Sequence, residues 1–177
     1  MTIMIDDAGV GDLLFGVVVG AFRNETEEFS YDVVDVRYFQ PPMFKRKMYL
    51  HETSRIVFQM LDKLNVKNGE PIYICSGNIF EQAHRDLKTK YDDHVHVAKI
   101  TGLAQHYTET AYLDEVRNLG YEPRSDRDEK RAKSFFDMLN WIRRDPRRIS
   151  YAKTGWPRLR RYNLRSYETG RRRRFHR

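Results

Sequence analysis

Two aspartates stand side by side at Asp6 and Asp7, closing a short apolar run from Thr2 and opening onto Ala8-Gly9-Val10-Gly11. Adjacent carboxylates at the end of a buried strand suit a divalent cation, because Mg²⁺ and Mn²⁺ take charged oxygen donors. Glycines directly after them let backbone approach a phosphate. A second chemistry lies at the other end of the chain. Residues 143–177 hold 14 Lys/Arg, 13 of them arginine, against two acids, Asp145 and Glu168. A guanidinium grips phosphate through two parallel hydrogen bonds and stacks on bases, whereas an ammonium acts as a point charge. Tyr151, Trp156, Tyr162, Tyr167 and Phe175 are interleaved with the arginines. Cations for phosphates with aromatic faces for unstacked bases predict nucleic-acid contact, with RNA favoured over DNA. The residues expected to make it are Arg147, Arg148, Trp156, Arg158, Arg160, Arg161, Tyr162, Arg171, Arg172, Arg173 and Arg174. An anionic membrane surface is a poorer match, since the segment has no amphipathic helical period.

Around these residues the chain has the make-up of one domain. It has 177 residues, 40% apolar, 13% aromatic and 32% charged. That content excludes a wholly disordered chain, and the length predicts a single core. The net charge of +7 is unevenly placed: residues 143–177 carry +12, and residues 1–142, with 18 Lys/Arg and 23 acids, carry −5. The expected organisation is a folded domain over 1–142 and a basic nucleic-acid-binding tail over 143–177. One cysteine, Cys75, excludes an internal disulfide and a four-cysteine zinc site. No apolar run approaches the roughly 20 residues that span a bilayer. The first residues lack the basic start and cleavage site of a signal peptide, so a cytoplasmic location is expected.

The elements that must position the acids follow from periodicity. Thr2 to Asp6, Leu14 to Phe22 (with Val17, Val18 and Val19) and Tyr31 to Phe39 read as strands joined by short connections, an antiparallel meander. Val57, Met60, Leu61 and Leu64 recur at helical spacing within a helix from about Tyr49 to Leu64. Pro71 to Cys75 reads as a buried strand, Ile79 to Lys90 as a helix with Ile79, Ala83 and Leu87 on one face, and Val95 to Ile100 as a fifth strand. A helix between Leu103 and Leu119 ends at Gly120, and a last one starts near Asp126–Asp128 with Ala132, Phe135, Phe136, Leu139 and Ile142 inward. Three antiparallel strands followed by alternating helices and strands predict an α/β fold with a mixed five-stranded sheet flanked by helices.

That element order is shared by the ribonuclease H-like fold. The opening Ile5-Asp6-Asp7-Ala8-Gly9-Val10-Gly11, followed by Gly16-Val17-Val18-Val19, resembles the start of the type 2 ribonucleases H over about 20 residues. The resemblance implies that Asp6 is the first metal ligand and that Asp7 replaces a glutamate. It further implies carboxylates on the first helix and at the start of the last. Glu52 is similar to the type 1 enzymes' glutamate on the first helix, and Asp128-Glu129 to the pair opening their last helix, with Asp126 an alternative in the same turn. On this reading Asp6, Glu52 and Asp128 are catalytic, and Asp6, Asp7, Glu52, Asp126 and Asp128 hold Mg²⁺ or Mn²⁺. Two departures stand out. Val10 replaces an arginine that reads the RNA–DNA junction, and the aspartate expected after the fourth strand is missing from Cys75-Ser76-Gly77-Asn78.

Two functions follow. One is a divalent-metal-dependent nuclease that hydrolyses phosphodiester bonds and leaves a 3′-hydroxyl. The other is a catalytically inactive ribonuclease H-like protein that binds RNA within a ribonucleoprotein such as the ribosome. His84, His94, His96 and His106 lack supporting ligands at metal spacing, and Cys75 reads as a core residue rather than a nucleophile.

Overall fold

The computed structural model describes residues 1–162 and residue 164; Arg171–Arg174 lie outside the described residues. Five strands form one sheet: β1 (Ile3–Ala8), β2 (Val17–Arg23), β3 (Glu28–Val34), β4 (Ile72–Cys75) and β5 (Val95–Ala98), in the order β3-β2-β1-β4-β5. β1 to β3 pair antiparallel, and β4 and β5 run parallel to β1. The helices are α1 (Met48–Lys63), α2 (Glu81–Tyr91), α3 (Leu103–Asn118) and α4 (Arg131–Arg143). The fold is therefore α/β, a mixed five-stranded sheet flanked by helices. None of the described helices is long and apolar enough to cross a membrane.

Strand alternation divides the core in two. Ile3, Ile5, Val17, Val19, Ile72 and Ile74 meet Ile56, Val57, Met60 and Leu61 of α1 and Ala83 and Leu87 of α2 on one face. On the other, Ala8 and Val18 meet Tyr112 and Val116 of α3 and Met138, Leu139 and Ile142 of α4. Burying each large aliphatic side chain contributes about 1.5–3 kcal/mol. Ile149, Ala152, Trp156 and Leu159 join this second cluster, so the segment after α4 packs on the body as two short 3-10 turns, Pro146–Tyr151 and Pro157–Tyr162.

Three elements differ from expectation, each for a local reason. β2 starts at Val17 because the residues before it pair elsewhere: Phe15 N–H donates to the Tyr151 carbonyl at 2.7 Å, and Leu14 bridges Ala152. β3 begins at Glu28 and ends at Val34, because Asp35 accepts the Arg37 N–H at 2.8 Å and turns Val36–Phe39 into a 3-10 helix. α4 begins at Arg131, after Asp126 and Asp128. Asp126 is held by Arg124 and Lys130, and Arg127 is drawn toward Asp12 and Glu109, which keeps that stretch out of the helix. The inner face of α4 is Ser134, Met138, Leu139 and Ile142, while Ala132 and Phe136 are exposed. The Gly120 cap is present, with φ +86°.

Candidate functional site

Sheet order decides where the acids go. Where β1 and β4 lie parallel, their C-terminal ends come side by side, and open α/β sheets bind ligands outside such ends. The register sets Met4 beside Tyr73 and Ile5 beside Ile74, so Asp6 follows next to Cys75. The chain leaves β1 through Gly9, at φ +90°. A Cβ there would lie 2.2 Å from the Tyr112 ring, so glycine alone lets the turn settle on α3. On the β4 side a Cβ at Gly77 would lie 3.1 Å from Asp7 Oδ1.

Oxygens of Asp6 and Asp7 and the Cys75 sulfur all lie within 4.8 Å of one another. Burial raises the Asp6 carboxyl, partly offset by hydrogen bonds from the Asp7 amide and the Cys75 thiol. Burial pushes Asp7 up to about 7, with the negative charges of Asp6 and Glu109 adding to the rise and Lys153 opposing it. Burial likewise pushes the Cys75 thiol up to about 11, and Asp6 and Asp7 add to it. Cys75 is thus a protonated thiol at neutral pH, which suits neither a nucleophile nor a ligand for a hard cation. Two carboxylates that resist ionising could hold one divalent ion, whose charge would relieve their repulsion. Mg²⁺ is commonly held by one or two carboxylates, with waters and phosphate oxygens completing its octahedron.

A third carboxylate enters from α3. Glu109 is raised by burial and by the charges of Asp128, Asp12 and Asp6, against the pull of Arg127. Arg127 is buried, donating to Asp12 at 2.5 Å and to Glu109, with Asp128 at 3.6 Å and its guanidinium 5.2 Å from the centre of the Tyr112 ring. Below the loop, Lys153 is fully buried, its Nζ donating to the carbonyls of Gly9 at 2.6 Å and Asp12 at 2.7 Å. Burial pulls this ammonium down to about 7, opposed by Asp12 and Asp7.

The residues expected from sequence are placed as follows. Asp6 and Asp7 come together. Glu52 lies in the second turn of α1 rather than its first; its carboxylate accepts from Arg55 at 2.7 and 3.0 Å and sits near Tyr38 and Arg37, so its charge is engaged beyond β3. Asp126 is held well below the usual carboxylate range by Arg124 and Lys130. Asp128 is exposed, 3.6 Å from Arg127, and is not part of the Asp6–Asp7–Cys75 cluster. Glu109, Asp12, Arg127 and Lys153 were not legible as site residues. The one available signal is that Glu109 falls on the α3 stripe of Tyr112 and Val116, three and seven residues on, where an apolar residue is the norm.

In the C-terminal segment several expected contact residues serve the protein itself. Arg148 lies over Trp141 at 4.1 Å, and Arg158 lies over Trp156 at 4.3 Å and over Phe135 at 5.2 Å. Arg147 pairs with Asp145, and the Tyr162 ring packs against Phe135 and Phe136. Arg160 and Arg161 are exposed, and Arg160 lines a groove with Gln40, Pro41, Ser150, Thr154 and Trp156.

Fold and site together define a class: an α/β chain with an acid pair at the C-terminal end of β1, beside the end of the parallel β4, and a C-terminal segment whose described part packs on the second core. No protein-family model matches the chain, and no curated protein matches it.

Proposed function

We propose that the chain is a ribonuclease H-like, divalent-cation-dependent nuclease that hydrolyses phosphodiester bonds in nucleic acid, RNA in preference to DNA. The observation that carries this reading is the acid pair Asp6 and Asp7 at the C-terminal end of β1, beside the end of β4, with the charge of Glu109 on α3 adding to the rise of Asp7. A bound Mg²⁺ or Mn²⁺ would polarise the scissile phosphoryl group and activate water. Asp6 and Asp7 would hold it. The loop over Gly9–Asp12, pinned from beneath by Lys153, keeps the acid pair in place. Arg160 and Arg161 would hold phosphates of the same strand, with Arg171–Arg174 adding affinity that falls steeply with salt. Hydrolysis adds the water oxygen to phosphorus and breaks its bond to O3′, leaving a 3′-hydroxyl and a 5′-phosphate.

The test is a Mg²⁺ and Mn²⁺ cleavage panel on single-stranded RNA, an RNA–DNA hybrid and branched DNA, with Asp6→Asn as control. Cleavage that EDTA stops and Asp6→Asn removes is the expected result. A second reading, an inactive RNA-binding protein of a ribonucleoprotein such as the ribosome, is favoured by the thiol of Cys75 in place of a carboxylate. Equal, metal-independent RNA binding by both proteins with no cutting would replace the first reading by the second.

A further inference from the structure

Side chains alternate between the two faces of a sheet, so register decides which residues share a face. Phe29 of β3 pairs with Phe22 of β2, Phe22 with Met4 of β1, Met4 with Tyr73 of β4, and Tyr73 with His96 of β5. One row thus crosses all five strands, aromatic throughout except at Met4. Asp6, two residues beyond Met4, lies on the same face, with Cys75 and Ala98 in its row. The two rows are about 6.6 Å apart. Helices cover this face unevenly. α3 packs across β1, β2 and β3, and its Tyr107 ring sits 5.7 Å from Phe22 and 5.5 Å from Phe29. α2 packs on β5 from the opposite face, where Val95 joins the first core. Met4 and Tyr73 stay half-buried and His96 exposed, with the Tyr73 and His96 rings 5.0 Å apart. The rim beside them suits an anion: from His94 to Thr108 the chain has no Asp or Glu, although residues 1–142 hold 23. His94, Lys99 and His106 are all exposed there. Lys99 follows Ala98 at the same strand ends as the acid pair, whereas Asp92 and Asp93 sit in the turn at the far end of β5.

Resting on the nuclease reading above, we infer that this open half of the sheet face is a stacking platform for an unpaired stretch of RNA. Bases lie on Tyr73 and His96, and the backbone runs past Lys99 toward Asp6. A base offers an aromatic ring its planar face whatever the sequence, but only when it is unstacked and unpaired. A duplex keeps its bases inside and meets a sheet with sugars and phosphates alone. The platform therefore assigns the substrate class: a single strand or an unpaired loop, rather than a duplex or an RNA–DNA hybrid. Lys99 supplies the charge that holds the backbone where the strand ends meet, and the single row between Tyr73 and Cys75 brings the strand to the acid pair.

Fluorescence anisotropy of a labelled oligoadenylate with the full chain in EDTA, where metal-dependent cutting is stopped, tests this. An abasic strand of equal length controls for charge. His96→Ala and Tyr73→Leu should each weaken oligoadenylate binding about tenfold, and Tyr73→Phe, which keeps the ring, should match the wild type. All three should bind the abasic strand as the wild type does. Undiminished oligoadenylate binding by His96→Ala and Tyr73→Leu would overturn the platform and leave the nuclease reading standing. An equal loss on the abasic strand would also overturn it, since stacking would then not be what the variants removed. Self-association of the wild type that His96→Ala abolishes, with oligoadenylate binding unchanged, would make the face a contact between copies and overturn it likewise. Tenfold weaker binding by the variants, with no cleavage of any substrate by the wild type in Mg²⁺ or Mn²⁺, would keep the platform and sink the nuclease reading. Should Tyr73→Leu fail to fold, His96→Ala, at an exposed position, decides the matter alone.

Discussion

Replacing Asp7 by asparagine removes a charge that the fold resists and keeps the shape of the neutral acid. In the unfolded chain this carboxyl gives up its proton near 3.8, and in the fold near 7. Between those values the native state holds a proton that the unfolded state has lost, so stability falls as pH rises, by about 1.4 kcal/mol for each pH unit. Across the whole window the loss has a ceiling of about 4 kcal/mol. Water reaching the half-buried carboxylate lowers it to about 2–3 kcal/mol. Asp7→Asn should therefore lie within about 1 kcal/mol of the wild type at pH 4 and exceed it by about 2–3 kcal/mol at pH 8. Urea unfolding in EDTA measures this, with fluorescence of Trp141 and Trp156, both packed in the second core, as the probe. Mg²⁺ should narrow the gap at pH 8 by stabilising the wild type and not the variant. A gain of equal size at both pH values, or a loss at pH 8, would refute the assignment of the penalty to Asp7 ionisation.

Arg23→Met should cost about 3–5 kcal/mol, because buried Glu70 (3.2 Å) and the Leu64 carbonyl (2.7 Å) lose their cation; thermal unfolding would read this as a drop of roughly 10 °C or more. Gly16→Ala places a Cβ 1.9 Å from the Val34 carbonyl oxygen, so the β2–β3 edge must move, at a cost of about 1–3 kcal/mol or more seen in denaturant midpoints. Lys153→Met strips two short hydrogen bonds from the buried carbonyls of Gly9 and Asp12 and should lower stability by about 2–4 kcal/mol, again by urea titration. Cys75→Asp puts a hard donor beside Asp6; calorimetry should find Mg²⁺ bound at least about tenfold more tightly, and unfolding in EDTA should show a less stable protein.

The parts of the fold legible in the sequence were those set by local periodicity. Val57, Met60, Leu61 and Leu64 are all buried, as are Ile79, Ala83 and Leu87, because a helix face is written within a dozen residues. The meander β1-β2-β3 was readable for the same reason, its connections being short. Where a distant segment intervened, the reading slipped. Leu14 and Phe15 have good strand character, yet they pair with Tyr151 and Ala152, which no window around residue 14 contains. The start of α4 was misplaced because Arg127 answers to Asp12 and Glu109, which no local window contains, as well as to its neighbour Asp128. The candidate site divides likewise. Asp6 and Asp7 are adjacent in sequence and so were visible as a pair, but Glu109 and Lys153 reach them only through tertiary packing. The arginine-rich segment announced its charge; that Arg148 and Arg158 would lie on Trp141 and Trp156 depended on where those indoles sit once folded.

The lysine under the Gly9–Asp12 loop also has a consequence in time. It comes from 144 residues downstream of Gly9 and 141 downstream of Asp12. A ribosome delivers the amino-terminal end first, so the acid pair emerges long before the side chain that anchors its loop. Closing so long a span carries an entropic cost that only the finished second core can repay, which favours docking of this segment as a late event. A nascent chain stopped short of Lys153 would carry the Gly9–Asp12 loop that follows Asp6 and Asp7 without its floor. The acidic edge of the sheet is thus completed only once synthesis has passed Lys153, well after Asp6 and Asp7 have emerged.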